Sequence, residues 1–216
     1  LTAWCEMNPM EGDFIRIEGA RVQYWQGSPD LVIDDIEQVT NISSPPWEKI
    51  DPENHWIEVE LSELVSGGSR RGIETSGTII SVRNDSGLIE RCTECRRVLR
   101  EGNCTEHGDQ VGEEDLRLRF VIDNGISNAS LLMSRDSAEE FLGMEMARVR
   151  DEISKSGKTE FVSDLRNKCL SRLVSIRGRS IVDEQGAMIL SDTTNFSAIN
   201  PKEYGNKIME KWSLIL

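Results

Sequence analysis

The sequence predicts a mainly β protein, in which a small barrel extrudes a metal-binding ribbon and an amphipathic helix ends the chain. Three observations predict it. Two ligand pairs, Cys92/Cys95 and Cys104/His107, each with two residues between its members, lie in Arg91–Gly108, RCTECRRVLREGNCTEHG. Extended runs after residue 58 fall in the order strand, ribbon, two strands, helix, two strands. Asn200–Leu216, NPKEYGNKIMEKWSLIL, repeats large apolar residues at helical spacing.

The ribbon, 91–108, holds three of the five cysteines and one of the two histidines. A CxxC turn aims two sulfurs at one point, and a second such turn closes the tetrahedron that zinc takes with thiolate and imidazole. Gly102-Asn103 would turn the hairpin and Gly108 would let the chain leave tightly. A redox CxxC normally opens a helix beside a βαβ pattern, and no such pattern is visible; ordinary buried thiols are the other alternative. With Cys92, Cys95, Cys104 and His107 all supplied by protein, one structural Zn2+ per chain is expected. It would contribute folding free energy on the order of 10 kcal/mol to a segment too small to build a core.

The bulk numbers bound the rest. The 216 residues, 38% hydrophobic and 29% charged, fit one large or two small soluble domains. No apolar run approaches the roughly 18 residues of a membrane span, and no signal-peptide pattern opens the chain. Cys5 and Cys169 read as buried free thiols of a reducing compartment. The net charge of −13 speaks against nucleic-acid binding. Basic residues nevertheless cluster, Arg117 with Arg119 and Arg172 with Arg177 and Arg179, so any such binding would use a local basic groove.

Residues 1–42 read as a β-meander: Leu1–Trp4, two runs within DFIRIEGARVQYW, a turn at Gln26-Gly27-Ser28-Pro29, then Leu31–Ile33 and Val39–Ile42. Strands this short do not close a barrel by themselves, and the chain opens within a strand, so a longer parent sequence is expected. Residues 43–57 form a linker, since Ser43-Ser44-Pro45-Pro46 disfavours regular structure. Trp47 and Trp56 flank it and would pin it to a domain. His55 has no companion ligand and reads as structural or surface.

Residues 58–199 form the main domain. Val59, Leu61 and Leu64 are candidate buried positions of a short helix or strand. A long strand, Ile73–Val82 with Ile89 as an alternative end, feeds the ribbon. In Leu116–Asp123 the residues Leu116, Leu118, Phe120 and Ile122 face one way, with Arg117 and Arg119 outward. Ala129–Met133 follows. Asp136–Glu139 has the form of a capping box, opening a helix to Ile153 that Gly143 divides. Glu160–Cys169 is a further helix, and Leu173–Val182 with Ala187–Thr193 makes a hairpin. Five strands with a helix between the third and fourth is the OB arrangement.

In residues 200–216, Asn200 can cap and Pro201 suits the first helical position. Tyr204, Ile208, Trp212 and Ile215 form the stripe, with Met209 beside it. The helix could pack on its own barrel or against helices of other subunits; the width of the stripe favours the second.

These pieces together resemble the C-terminal half of the large subunit of replication protein A, the heterotrimeric single-stranded-DNA-binding protein, in its archaeal form. The resemblance covers nearly the whole chain. The family inserts a zinc ribbon between the first two strands of its last OB domain, as Cys92–His107 stands here. Its ESAE-x-x-LG pattern is matched by Asp136–Gly143 and its YREYG segment by Pro201–Gly205. Eukaryotic members use four cysteines, so His107 departs toward the archaeal pattern. The resemblance implies that residues 1–42 are the second half of a preceding OB domain. Trp4 and Trp25 would be its base-stacking aromatics, each base worth about 1–3 kcal/mol. Arg16 and Arg21, and in the second domain Arg117, Arg119, Arg177 and Arg179, would neutralise phosphates. Trp4 as core, Trp25 as a hairpin cover and the arginines as partners of acidic neighbours are the plain alternatives. No aromatic occupies the last hairpin, Val182–Met188.

The expected function is therefore sequence-tolerant binding of single-stranded DNA in replication, repair and recombination. The 200–216 helix would join two smaller OB-fold subunits in a three-helix bundle, and localisation would be cytoplasmic, at the nucleoid. An assembly scaffold is the alternative, and the acidic charge speaks for it. An enzyme would need an open metal position or a nucleophile with a base, and the sequence displays neither.

Overall fold

The computed structural model describes residues 1–10, 12–25, 28–47, 55–184, 186–197, 202, 205–206 and 209–210, without the side chains of Trp25 and Ser28. The first part holds β1 (Thr2–Ala3), β2 (Phe14–Ile17), β3 (Arg21–Trp25), β4 (Ser28–Ile33) and β5 (Val39–Ile42), with a 3-10 turn at Ile36–Gln38. The expected meander does not form. β3 and β4 pair as a hairpin, but β1 runs parallel to β4, and β2 pairs with β5. The cause is Gly19, which at φ 73° breaks DFIRIEGARVQYW so that its halves join different sheets. Gln38 ties the pieces: its side chain accepts from the Asp34 and Asp35 N–H groups at 2.8 and 3.0 Å and donates to the Gly19 carbonyl at 2.6 Å.

The second part runs β6 (Ile57–Glu58), α1 (Leu61–Gly67), β7 (Arg70–Val82), β8 (Gly87–Arg91), β9 (Asn103–Cys104), β10 (Gly108–Asp109), β11 (Glu113–Asp123) and β12 (Asn128–Met133). Then come α2 (Arg135–Leu142), α3 (Met146–Ser156), α4 (Lys158–Cys169), β13 (Leu173–Asp183) and β14 (Gly186–Phe196). β7 pairs with β13, β13 with β14, β14 with β12, β12 with β11, and β11 returns to β7. These five strands thus close into a circuit, with β6 and β8 added at the two ends of the sheet. Only β12 and β14 run parallel in the circuit. Five strands in this order, with the helices between the third and fourth, make an OB fold.

Alternation in the sequence becomes the core directly. Leu116, Leu118, Phe120 and Ile122 are fully buried and meet Ile79, Leu131, Ile176 and Ile189 inside the barrel. Burial of each such side chain contributes roughly 1.5–3 kcal/mol. α1 adds Leu61 and Leu64, while α3 and α4 add Val149, Phe161 and Leu165. Gly178 has no room for a side chain, since a Cβ there would lie 2.1 Å from the Leu190 carbonyl. The β13–β14 register shifts at this point, between Arg177 and Gly178.

The long strand ends at Val82, the nearer of its two expected ends. The buried Ser86 hydroxyl exchanges bonds with the Arg119 backbone, accepting at 2.9 Å and donating at 3.1 Å, and Gly87 at φ 107° restarts the chain as β8. The capping box expected at Asp136–Glu139 does not form. Ser134 is the N-cap of α2, and Glu139 accepts the Met146 N–H at 2.7 Å, bracing the entry to α3. Gly143, left-handed at φ 65°, ends α2 as its sequence predicts.

Candidate metal centre and nucleic-acid interface

The ribbon brings its four predicted ligands together. Cys92 Sγ, Cys95 Sγ, Cys104 Sγ and a ring nitrogen of His107 all lie within 4.8 Å of one another. His107 Nδ1 is 3.5 Å from Cys92 Sγ and 3.7 Å from Cys104 Sγ, and the sulfurs of Cys95 and Cys104 are 3.5 Å apart. Bonds of about 2.3 Å to sulfur and 2.0 Å to nitrogen give tetrahedral edges of about 3.5–3.8 Å. The cluster therefore fits a metal ion of that size, with no ligand position left over.

Local chemistry builds this site. Arg96, left-handed at φ 61°, closes the first knuckle, and its N–H donates to the Cys92 carbonyl at 2.9 Å. Glu101 and Gly102, at φ 54° and 77°, turn the hairpin between Arg100 and Asn103, one residue before the expected Gly102-Asn103. Gly112 has no room for a Cβ, which would stand 2.7 Å from Glu90 and 2.8 Å from Leu99. The ribbon is thus held close to β8 and β11, where Arg91–Asp115 and Arg96–Glu113 ion pairs tie it down. Its own core is only Cys92, Leu99 and Cys104, with Cys95 against them.

The electrostatics favour thiolates at Cys104 and Cys92 but not at Cys95, where the Arg97 N–H lowers the pKa and burial with the Cys104 and Cys92 sulfurs raises it further. The backbone N–H of Glu106 draws the Cys104 thiol down to about 6; burial opposes this, and the His107 N–H and ring reinforce it. The Cys95 N–H likewise holds Cys92 below the ordinary thiol range. The Cys104 and Cys92 sulfurs raise the pKa of His107. A proton held among thiolates and imidazole is what a divalent cation would displace.

The predicted phosphate-contacting arginines separate into two kinds. Arg117 and Arg119 do not project outward as free cations. Both donate to one oxygen of Asp85, at 2.8 and 2.7 Å, and the Arg117 side chain is only 13% exposed. Burial lowers the pKa of its guanidinium. Arg21 is held by Asp34 at 2.8 Å. Arg177 donates to Glu74 at 3.1 Å and lies 5.8 Å over the Trp56 ring. Arg16 and Arg179 are exposed and form no ion pair among the described residues.

Arg179 opens onto a groove of about 550 Å³ across β7, β13, β14 and β12. Trp56 walls it, Leu132 and Leu190 floor it, and Gly72 and Gly178 let the backbone come near the surface. Arg71 supplies a second guanidinium and Asp192 the one acidic group of the lining. Sequence reasoning missed Arg71 and gave Trp56 only a pinning role. The hint was Arg71 beside Gly72 at a strand start, but which strands flank it is a long-range fact.

The N-terminal sheet repeats part of this surface. Its order β1-β4-β3, parallel then antiparallel, is the order β12-β14-β13 of the barrel. Trp4 follows β1 as Ser134 follows β12, and it is 74% exposed, so it is not core. Tyr24, also exposed, pairs with Pro29, while Trp25 ends β3 opposite Ser28, its side chain outside the described residues. Arg71 acts across to this sheet. Asp30 is held below the usual carboxylate range chiefly by the Leu1 amino group and Thr2, with a smaller contribution from the Arg71 charge. Trp47 meets Phe14 edge-on at 6.5 Å.

Of the predicted partner surface, Tyr204, Ile208, Trp212 and Ile215 lie outside the described residues; Met209 is helical and exposed. No helix among the described residues is long and apolar enough to cross a membrane.

The fold and cluster define this chain as an OB-fold protein with a Cys3His metal-ligand set. No family model matches the chain, and no curated protein matches it. Among solved structures it is similar to a replication protein A heterotrimer bound to ssDNA, at 11% identity and a TM-score of 0.48 over 93% of this chain. The chain spans 55% of the length of that protein. It is also similar to yeast RPA bound to ssDNA, at 15% identity and a TM-score of 0.40, covering 66% of this chain and 85% of that one. An OB domain from Thermoplasma acidophilum aligns at 9% identity and a TM-score of 0.31, over 66% of this chain and 87% of that one. At these scores it is the strand pairing that defines the fold.

Proposed function

We propose that this chain is a non-enzymatic single-stranded-DNA-binding subunit of the replication protein A type, acting in replication, repair and recombination. The groove of Trp56, Arg71 and Arg179 carries the reading. It combines an aromatic wall with two guanidiniums that form no salt bridge among the described residues, which is what sequence-tolerant binding of bases and phosphates requires. Exposed Trp4, at the matching place on the first sheet, extends the surface. On this reading residues 1–42 are the second half of one OB domain, residues 58–199 a second, and residues 200–216 a trimerisation helix toward two smaller OB-fold subunits. The ribbon holds one structural Zn2+, and the complex is cytoplasmic, at the nucleoid.

The net charge of −13 favours a second reading, an assembly scaffold. Titration with an oligothymidylate at graded salt separates the two. Substituting Arg71→Ala with Arg179→Ala should make the slope of log affinity against log salt shallower by about 1.4, two phosphates at about 0.7 each. An unchanged slope removes the groove from the DNA site. No salt-dependent binding by the wild type leaves the scaffold.

A further inference from the structure

We propose that Glu94 is a positioning residue of the metal centre, receiving the His107 ring N–H so that Nδ1 is kept for the ion. The inference rests on the reading of the cluster as a zinc site. His107 turns Nδ1 to the sulfurs, at 3.5 and 3.7 Å, which leaves Nε2 on the outer side of the ring. There it meets Glu94 Oε2 at 3.5 Å. Glu94 is inside the first knuckle, between Cys92 and Cys95, so the turn that aims two sulfurs inward also carries a carboxylate to the ring. Gln110 closes the arrangement, its Nε2 lying 3.5 Å from Glu94 Oε1 and 3.4 Å from the His107 carbonyl.

The physical reason concerns the tautomer. A neutral imidazole carries one N–H, and only its other nitrogen has a lone pair for a metal. A carboxylate at Nε2 favours the proton there, frees Nδ1 and raises its basicity, as outer partners of metal-bound histidines do. His107 is the exposed member of the four ligands, so the interior does not orient it and a surface partner has to.

Zinc affinity is measured on the full chain by competition with a chromophoric chelator, for the wild type, Glu94→Ala, Glu94→Gln and Glu101→Gln. Glu94→Ala should weaken zinc roughly 10–100-fold. Glu94→Gln, whose amide oxygen still accepts the N–H, should recover part of the loss. Glu101→Gln removes the same charge from the same ribbon and should stay within about twofold, as an exposed charge does. Nitrogen NMR of the His107 ring should show the Nε2–H form in the wild type and a mixture in metal-free Glu94→Ala. Cobalt absorption should retain its thiolate bands in every variant that loads. Equal affinities of wild type and Glu94→Ala would overturn the inference while leaving the zinc site standing. An equal loss in Glu101→Gln would overturn it too, by showing a charge effect. A wild type that binds no zinc would overturn the metal reading and this inference with it.

Discussion

Trp4 and Ser134 occupy equivalent places in two sheets of the same strand order. Each is the first residue beyond a strand that runs parallel to its neighbour, with Ala3 opposite Ile33 in one case and Met133 opposite Ser191 in the other. Trp4 is further fixed by its N–H, which donates to the Ile33 carbonyl at 2.9 Å. One sheet thus presents an indole where the other presents a small hydroxyl that begins a helix.

That difference predicts unequal contributions to DNA. Trp4→Ala should weaken single-stranded-DNA binding by about 1–3 kcal/mol, the worth of one stacked base. Ser134→Ala should leave it nearly unchanged. Fluorescence titration at one salt concentration checks both; equal effects of the two substitutions would refute the stacking role.

Chelation should unfold the ribbon and spare the barrel. The ribbon has a core of Cys92, Leu99 and Cys104, whereas the barrel closes on itself around Phe120. Hydrogen exchange after metal removal should rise across 91–109 and stay slow in β7, β11 and β13. Uniform loss of protection would show that the metal supports the whole domain.

Asp85 predicts an acid-sensitive joint. Burial pushes its carboxyl up, but Arg119 and Arg117 pull it down further, so it ends below the ordinary carboxylate range. A folded-state pKa below the unfolded one gives stability that is complete above the unfolded value, about 3.9, and is lost as pH falls through the folded value. Asp85→Asn should therefore flatten the fall in stability below about pH 4, as measured by denaturant unfolding from pH 3 to 7. A parallel fall in both proteins would rule this out.

Much of this molecule was determined by the sequence alone. The 3.6 and 2.0 periods of side-chain direction and the two-residue gaps between ligands are local properties, so the core face of β11, the division of the helix at Gly143 and the Cys92, Cys95, Cys104 and His107 set are legible from neighbouring residues. Pairing across the barrel is a different matter. Arg117 and Arg119 carry the same alternation whether they meet water, phosphate or Asp85, and only the turn after β7 places Asp85 beneath them. Trp56, Arg71 and Arg179 are far apart along the chain and share a groove because β7 and β13 lie side by side. Gly19 diverts β2 to β5 and Glu139 reaches toward Met146, each choosing a partner that no local pattern names. Tertiary structure decided these because strand registers must all be satisfied at once when the circuit closes, and that is a condition on the whole chain.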